Sequence, residues 1–174
     1  MTERVAIGVG SNRGDPVACI TEAFRRLQSE GLRQARCSSL YRTAPVNCVP
    51  GTPEFVNAVF TGVWTGDAPE LLRTCQRIER ALGRPARHSS RESRTIDLDI
   101  LLFGTRTVKT AELQIPHPRM HERLFVLVPL HEVAADWPVP GTNGQAVETL
   151  CKDLLKRTGS DHDRISRLRE NEPQ

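Results

Sequence analysis

The sequence predicts an α+β protein with a ferredoxin-like βαββαβ order, in which an antiparallel sheet carries helices packed on one face. Two-residue alternation of apolar side chains predicts the strands, and apolar residues at spacings of three and four predict two intervening helices. The length of 174 residues suits one ordinary domain, and no internal repeat or interdomain linker is visible. The core strands are predicted at residues 5–9, 33–43, 55–64 and 96–102.

Both predicted helices have recognisable ends. Asp15 can cap the first helix, Pro16 suits its first position, and Gly31 suits its end. The second helix is predicted for Ala68–Leu82, with Asp67 as its cap. Each helix therefore follows a strand, as the βαββαβ order requires.

The remaining segments are predicted from turn residues and from shorter apolar patterns. Residues 44–53 contain three prolines and one glycine, which indicates a loop. Val108–Ile115 is predicted to form a short hairpin arm, followed by a rigid turn at Ile115–Pro118. Leu124–Val128 is predicted to be a strand and Ala146–Leu155 a last helix.

Composition and charge limit the class of protein. The chain is 38% hydrophobic and 26% charged, which suits a globular fold, and its net charge of +3 does not by itself indicate nucleic-acid binding. No apolar run approaches the roughly 18 residues of a membrane span, and no signal peptide is visible. The five cysteines form no C-x-x-C pair, so we expect reduced thiols in a cytoplasmic protein, without a zinc site or disulfide framework.

Two aspartates in the fourth strand are the most informative residues of the chain. Asp97 and Asp99 are two positions apart, so a strand directs both to one face, about 6.6 Å apart. Neighbouring carboxylates repel each other, and a divalent cation such as Mg²⁺ would relieve the repulsion and bring phosphates with it. The simpler alternative is that both carboxylates face solvent.

An arginine-rich segment leads directly into this strand. Residues 83–94 contain four arginines and no lysine. Guanidinium groups bind phosphate bidentately, whereas lysine offers a point charge. Alone, the segment could be a solvated turn, but next to the acidic pair it predicts metal-assisted phosphoryl transfer.

Two further patterns indicate ligand binding. Phe55 and Asn57 share one strand face, where an aromatic ring could stack on a flat heterocycle and an amide could pair with its edge. An ordinary core Phe beside a buried, hydrogen-bonded Asn is an equally good interpretation of this pair. Leu72, Gln76 and Glu79 lie on one face of the second predicted helix. The glycine-rich residues 10–14 are interpreted as the turn into the first helix.

An ordered set of motifs over roughly residues 4–140 resembles the 6-hydroxymethyl-7,8-dihydropterin pyrophosphokinase family. Each motif is modest alone, but the set in this order is specific. The motifs are Ile7–Asp15, Ser39–Pro45, Pro53–Val59, Gln76–Glu79, Gly83–Arg84, Arg94–Leu101 and Ile115–Leu130.

The resemblance implies a Mg²⁺-dependent diphosphokinase of folate biosynthesis. Such an enzyme transfers diphosphate from ATP to the hydroxymethyl group of 6-hydroxymethyl-7,8-dihydropterin and releases AMP. It also implies two Mg²⁺ ions, held by Asp97 and Asp99, and a monomer that binds these small molecules but no nucleic acid or membrane. Residues 1–155 would form the pyrophosphokinase domain and residues 156–174 a charged, loosely held tail.

The family's residue roles carry over by motif. The implied catalytic residues are Arg84, Arg94, Asp97 and Asp99. The implied pterin-binding residues are Thr43, Pro45, Val46, Phe55, Asn57, Asp97 and Phe125. The implied ATP-binding residues are Leu72, Gln76, Glu79, Arg84, Arg94, Ile100, His117 and Arg123.

Two other classes compete with this interpretation. RNA-recognition domains share the βαββαβ order, but they display stacked aromatic residues and lack an acidic pair on the sheet. A scaffold that has lost catalysis is the second alternative, because Arg91 stands where the family usually has a tryptophan in the loop over the site. Ala86 and Asn47 also differ from the family pattern, and we expect these changes to affect closure of that loop more than the metal site.

Overall fold

The computed structural model describes residues 2–45, 50–84, 95–159 and 165–169. Val46 and Arg94, two of the predicted site residues, and the departures at Asn47, Ala86 and Arg91 lie outside the described residues. The strands are β1 Thr2–Ser11, β2 Arg33–Cys37, β3 Tyr41–Thr43, β4 Phe55–Thr65, β5 Asp97–Phe103, β6 Val108–Lys109, β7 Gln114–Ile115 and β8 Ile165–Arg167. The helices are α1 Pro16–Ser29, α2 Ala68–Ala81, α3 Leu124–Ala134 and α4 Val147–Thr158, and Met120–Glu122 forms one 3-10 turn.

The main sheet has the strand order β5-β1-β4-β3-β8, and β2 also pairs with β4. All of these pairs are antiparallel, which confirms the predicted α+β, ferredoxin-like class. The second predicted strand is divided into β2 and β3. Ser38 lies at the division, where its hydroxyl donates to the Ser39 carbonyl and accepts from the Val59 N–H, 3.0 Å away.

The helix caps predicted from the sequence are present. The Asp15 carboxylate accepts from the Ala18 N–H at 2.9 Å, and the Asp67 carboxylate accepts from the Glu70 N–H at 2.7 Å. These bonds satisfy N–H groups that the first turn of a helix leaves without a backbone partner. The hairpin arm is also confirmed, as β6 paired with β7.

Helices cover both faces of the sheet, whereas the sequence predicted only one covered face. One hydrophobic cluster joins α1 and α2 to residues such as Ile7, Phe60 and Ile100. A second cluster joins α3 and α4 to Ala6, Val59 and Leu101 on the opposite face. The second cluster ends near Leu101, and further along this face Gly8 and Gly10 of β1 are only half-buried.

The prediction of a strand at Leu124–Val128 is wrong, because this segment begins helix α3. The segment is apolar at every position, so neither a two-residue nor a 3.6-residue period can be read from it. Val126, Leu127 and Leu130 are buried against α4 and the sheet. Tertiary packing, which the local pattern does not contain, determines the helical conformation here.

The end of the chain contributes to the sheet. Tyr41–Thr43 pairs with Ile165–Arg167, and the Leu168 N–H donates to the Leu40 carbonyl at 2.8 Å. These residues are therefore not loosely held, contrary to the expectation for the tail. The division into a domain of residues 1–155 and a tail stays a prediction. No helix in the described ranges is long and apolar enough to cross a membrane.

Candidate active site

The strand register brings the acidic pair beside the strand that carries Asn57. Gly10 of β1 pairs with Asp97 on one side and with Asn57 on the other. Two residues further along, Gly8 pairs with Asp99. Asp97 and Asp99 are half-buried and alternate with buried Leu98, which packs on the opposite face with α2. The predicted placement of both carboxylates on one strand face agrees with this pattern.

Gly10 leaves room for the Asn57 amide. A Cβ atom at position 10 would lie 2.9 Å from the Asn57 Oδ1 atom, too close for an unstrained contact. The Asn57 Nδ2 group donates to the Thr43 hydroxyl at 2.8 Å, and both side chains are buried. The amide is therefore held with its oxygen towards β1 and its NH₂ group towards β3.

Other residues implied to bind the pterin lie near the Asn57 amide. Thr43 pairs with Phe55 across β3 and β4, and the Phe55 side chain is half-buried. Pro45 follows β3 and is also half-buried. Thr43, Phe55 and Asn57 therefore meet at one end of the sheet, and a buried, hydrogen-bonded Asn57 agrees with both the ligand-binding and the ordinary core interpretation of this pair.

Arg84 connects helix α2 to the acidic strand. Its Nη1 group donates to Asp97 Oδ1 at 2.6 Å and also bonds Glu79 Oε1. The same Glu79 oxygen accepts from the Leu98 N–H at 2.7 Å. Glu79 is 7% exposed. It thus fixes both the guanidinium group and the backbone between the two aspartates.

Burial raises the pKa of Glu79 to about 7. The Leu98 N–H and Arg84 act in the opposite direction by stabilising the carboxylate, and Asp97 and Asp99 disfavour it further. Burial is the largest of these effects, so the Glu79 carboxyl group gains its proton more readily than an exposed glutamate does.

The other implied ATP-binding residues of this region differ in exposure. Leu72 is half-buried against the first cluster, and Gln76, one turn later on α2, is exposed. Ile100 is buried on the face of β5 that packs against α2. The structure brings Glu79 and Arg84 to the acidic pair more directly than it brings these three side chains.

His117 and Arg123 approach from the segment after β7. The His117 N–H donates to the Leu101 carbonyl at 3.1 Å, which holds this segment beside β5. Burial and, to a smaller extent, the charge of Arg123 lower the pKa of His117 to about 4, so the imidazole is neutral at pH 7. The Arg123 guanidinium lies over the Phe125 ring, 5.5 Å from its centroid, in a cation–π contact.

Two buried polar residues were not predicted as part of the site. Ser11 ends β1 and Asn12 follows it, and both were interpreted from the sequence as part of the turn into α1. The Ser11 hydroxyl donates to the Thr95 carbonyl at 2.6 Å. The Asn12 side-chain NH₂ group donates to the Pro53 carbonyl at 3.2 Å. The signal that could have found them is the pair of polar residues directly after a strand of small side chains.

The residues present suit a hard divalent cation. Asp97 and Asp99 offer carboxylate oxygens, the ligand type that Mg²⁺ prefers. Within the part of the chain that the structure describes, no group of three or more His, Cys, Asp or Glu side chains is arranged to hold a metal. Two carboxylates leave most coordination positions for water or phosphate oxygens, as is usual for Mg²⁺ at a nucleotide site.

Comparison with known proteins gives the same assignment. A family model described as 7,8-dihydro-6-hydroxymethylpterin-pyrophosphokinase matches residues 6–135. A 2-amino-4-hydroxy-6-hydroxymethyldihydropteridine pyrophosphokinase of Bacillus subtilis is 35% identical over 156 residues, which cover 89% of this chain and 92% of the relative. A pyrophosphokinase with the same name from Synechocystis is 37% identical over 145 residues, which cover 83% and 73%.

Solved structures show the same fold. A crystal structure of an HPPK-DHPS in complex with substrates matches with a TM-score of 0.75 at 13% identity, covering 95% of this chain and 46% of the other. Wild-type HPPK-DHPS of Plasmodium falciparum with pteroate matches with a TM-score of 0.72 at 15% identity, covering 98% and 48%. The chain thus spans about half the length of these structures, and at such identities the likeness concerns the fold alone.

These similarities place the chain among the diphosphate-transferring enzymes of α+β fold. It belongs to the 7,8-dihydro-6-hydroxymethylpterin-pyrophosphokinase family. The reaction of this family is pyrophosphoryl transfer to hydroxymethyldihydropterin in folate biosynthesis, with ATP as co-substrate. The family, fold class and function predicted from the sequence are confirmed.

Proposed function

We propose that this enzyme transfers the diphosphate of ATP at the acidic end of β5, with Mg²⁺ held by Asp97 and Asp99. The observation that carries the proposal is the position of Asp97. Its strand neighbour Gly10 separates it from Asn57 on one side, and Arg84 bonds it on the other. The aspartate therefore lies between the proposed pterin pocket and the proposed phosphate-binding group.

The pterin would bind between Phe55 and Phe125. Stacking of the two rings on the flat heterocycle, together with the Asn57 amide and the backbone near Thr43, Pro45 and Val46, would orient the hydroxymethyl group. Phe125 is half-buried at the start of α3, and Phe55 is half-buried at the start of β4. The half-buried part of the sheet face at Gly8 and Gly10, beyond the cluster formed with α3 and α4, supports this placement.

The triphosphate would bind between the acidic pair and the arginines. Arg84, Arg94 and Arg123 would bind its oxygens and stabilise the charge that develops during transfer. Leu72, Gln76, Glu79, Ile100 and His117 would line the nucleotide pocket, and the neutral imidazole of His117 adds no positive charge to it. When bound, two Mg²⁺ ions at Asp97 and Asp99 would neutralise phosphate charge and orient the reacting group.

In the proposed reaction the hydroxymethyl oxygen attacks the β-phosphorus of ATP. A bond forms between this oxygen and the β-phosphorus, the bond from that phosphorus to the α–β bridging oxygen breaks, and AMP leaves. Positioning and charge stabilisation by the protein's side chains would supply most of the rate. The hydroxyl proton is released to solvent, and we assign no general base.

The reaction is tested by supplying the purified protein with ATP, MgCl₂ and 6-hydroxymethyl-7,8-dihydropterin and identifying the released nucleotide. AMP is expected. ADP would indicate an ordinary kinase, and no nucleotide product would indicate a scaffold without catalysis.

Titration of Mg²⁺ against a non-hydrolysable ATP analogue tests the number of ions. Two ions bound per chain are expected, and a single ion would contradict that part of the proposal.

We propose that the protein is a cytoplasmic monomer. The free thiols agree with a reducing compartment. Cys75 and Cys151 are buried thiols, and burial raises the pKa of both, which keeps them protonated and unreactive. Mass measurement of the native protein in solution tests the proposed oligomeric state, and a stable dimer at micromolar concentration would contradict it.

A further inference from the structure

Ser11, the last residue of β1, and Asn12, which follows it, bury polar side chains at the point where the two halves of the proposed site meet. Ser11 is 0% exposed and Asn12 is 5% exposed. A buried hydroxyl or amide is costly unless it is hydrogen-bonded, so the partners of these groups are informative. Both donate to backbone carbonyls that are distant in sequence.

Ser11 binds the segment directly before β5, the strand that carries Asp97 and Asp99. Its hydroxyl donates to the Thr95 carbonyl at 2.6 Å, and Thr95 lies two residues before Asp97. Strand β5 begins at Asp97, so the Thr95 carbonyl lies before the start of the sheet ladder. The side-chain bond extends the attachment of this segment to β1 by two residues beyond the paired Gly10 and Asp97.

Asn12 likewise binds the segment directly before β4, the strand that carries Phe55 and Asn57. Its NH₂ group donates to the Pro53 carbonyl at 3.2 Å, and Pro53 lies two residues before Phe55. Strand β4 begins at Phe55, so this carbonyl also lies before its strand. A proline has no N–H to offer to a neighbouring strand, which increases the dependence of this segment on its carbonyl bond.

We propose that Ser11 and Asn12 are positioning residues that act separately on the two substrates. Ser11 sets the direction in which Asp97 leaves the backbone, and so chiefly the affinity for ATP with its metal, because Asp97 is a proposed metal ligand. Asn12 sets the direction of Phe55, and so the affinity for the pterin. Adjacent residues at one strand end thereby act mainly on different substrates. This inference rests on the proposed function of the site.

The test is a comparison of Ser11→Ala with Asn12→Ala in the full chain. The KM for each substrate is measured with the other saturating. We expect Ser11→Ala to raise the KM for ATP about tenfold and the KM for the pterin by a smaller factor, because a misplaced contact costs on the order of one hydrogen bond. Asn12→Ala should show the reverse pattern. Equal changes in both KM values, or none, would overturn the proposal.

Thr142→Val is the matched control. The Thr142 hydroxyl donates to the Val139 carbonyl at 2.7 Å, the same kind of bond, in the loop between α3 and α4. This variant should leave both KM values unchanged. If Ser11→Ala fails to fold by circular dichroism, Ser11→Cys replaces it, since a thiol keeps the size and weakens the donor. The same selective rise in the ATP KM is then expected, and its absence would overturn the proposal.

Failure of this inference is distinguishable from failure of the proposed function. If wild-type protein releases AMP and Asp97→Asn does not, the site assignment stands, whatever the Ser11 and Asn12 variants show. If both variants change ATP and pterin affinity alike in such an enzyme, the separate positioning roles are wrong while the site remains.

Discussion

Arg84 and Asp97 form an ion pair in which Nη1 lies 2.6 Å from Oδ1, with side chains 11% and 17% exposed. This pair joins a proposed phosphate-binding group to a proposed metal ligand. The positive charge of Arg84 is thus already located where phosphate and metal charges would meet. Glu79 completes the arrangement, because it bonds the same guanidinium nitrogen.

Asp97→Asn should lower turnover by a factor of about 100 or more, because a metal ion contributes several kcal/mol of transition-state stabilisation. Release of AMP at saturating substrates is the measurement. Asp153→Asn, on the exposed side of α4, removes a charge of the same sign and should leave turnover unchanged. An Asp97→Asn enzyme with turnover within about twofold of wild type would reject the metal role.

Phe125→Ala should weaken pterin binding about tenfold, since it removes one of two stacking surfaces. ATP affinity should change less, although Arg123 loses the ring beneath it. Trp137→Ala is the matched control, because Arg4 lies over that ring at 4.9 Å from its centroid in the same kind of contact. Equal losses of pterin and ATP affinity, measured by calorimetry, would count against the stacking role.

Glu79→Gln and His117→Asn should change the pH dependence of stability in opposite directions. The pKa of Glu79 is raised from 4.5 to about 7, so folding takes up a proton and the free energy of unfolding falls as pH rises through this window. The pKa of His117 is lowered from 6.5 to about 4, so folding releases a proton and the free energy of unfolding rises between these values.

Replacing Glu79 therefore removes a decrease in the free energy of unfolding with rising pH. Replacing His117 removes an increase. Urea unfolding from pH 4.5 to 7 should show a more positive slope for Glu79→Gln than for wild type and a more negative slope for His117→Asn. Slopes that change in the same direction in both variants would contradict the assigned pKa shifts.

Ser166→Pro should destabilise the protein by about 1–2 kcal/mol and weaken pterin binding, because a proline removes an N–H from the middle of β8. Ser166 pairs with Arg42, next to Thr43, which accepts the hydrogen bond of Asn57. Thermal melting and pterin titration measure the two effects. Ser166→Thr keeps the N–H and should behave as wild type. A proline variant with unchanged melting would show that β8 does not stabilise the sheet.

Local signals in the sequence were sufficient for much of the fold. Strand β4 and the capping aspartates Asp15 and Asp67 were predicted correctly, because alternation and capping act between neighbouring residues. Helix α3 was not predicted, since its apolar residues lie on all sides. Strand β8 was not predicted either, because its three residues become a strand only by pairing with β3, far away in the sequence.

In the site, too, features set by neighbouring residues were predictable, and features set by contacts distant in sequence were not. The shared face of Asp97 and Asp99 follows from the strand period, and their place beside Gly10 follows from pairing that no local pattern contains. The bonds of Arg84 to Glu79 and Asp97 depend on α2 packing against β5, so the sequence could suggest their charges but not their contact. The family resemblance named these residues, and their roles as substrate and metal ligands stay predictions.

The fixed orientation of the Asn57 amide has a consequence for inhibitor chemistry. One N–H of its NH₂ group donates to Thr43, and its oxygen faces the space beside Gly10. A competing compound would gain affinity from an N–H placed there. A compound that presents only hydrogen-bond acceptors at that edge would leave the Asn57 oxygen desolvated and without a donor, which costs about 1–3 kcal/mol. Donor pattern, more than ring size, should therefore rank candidate drugs at this pocket.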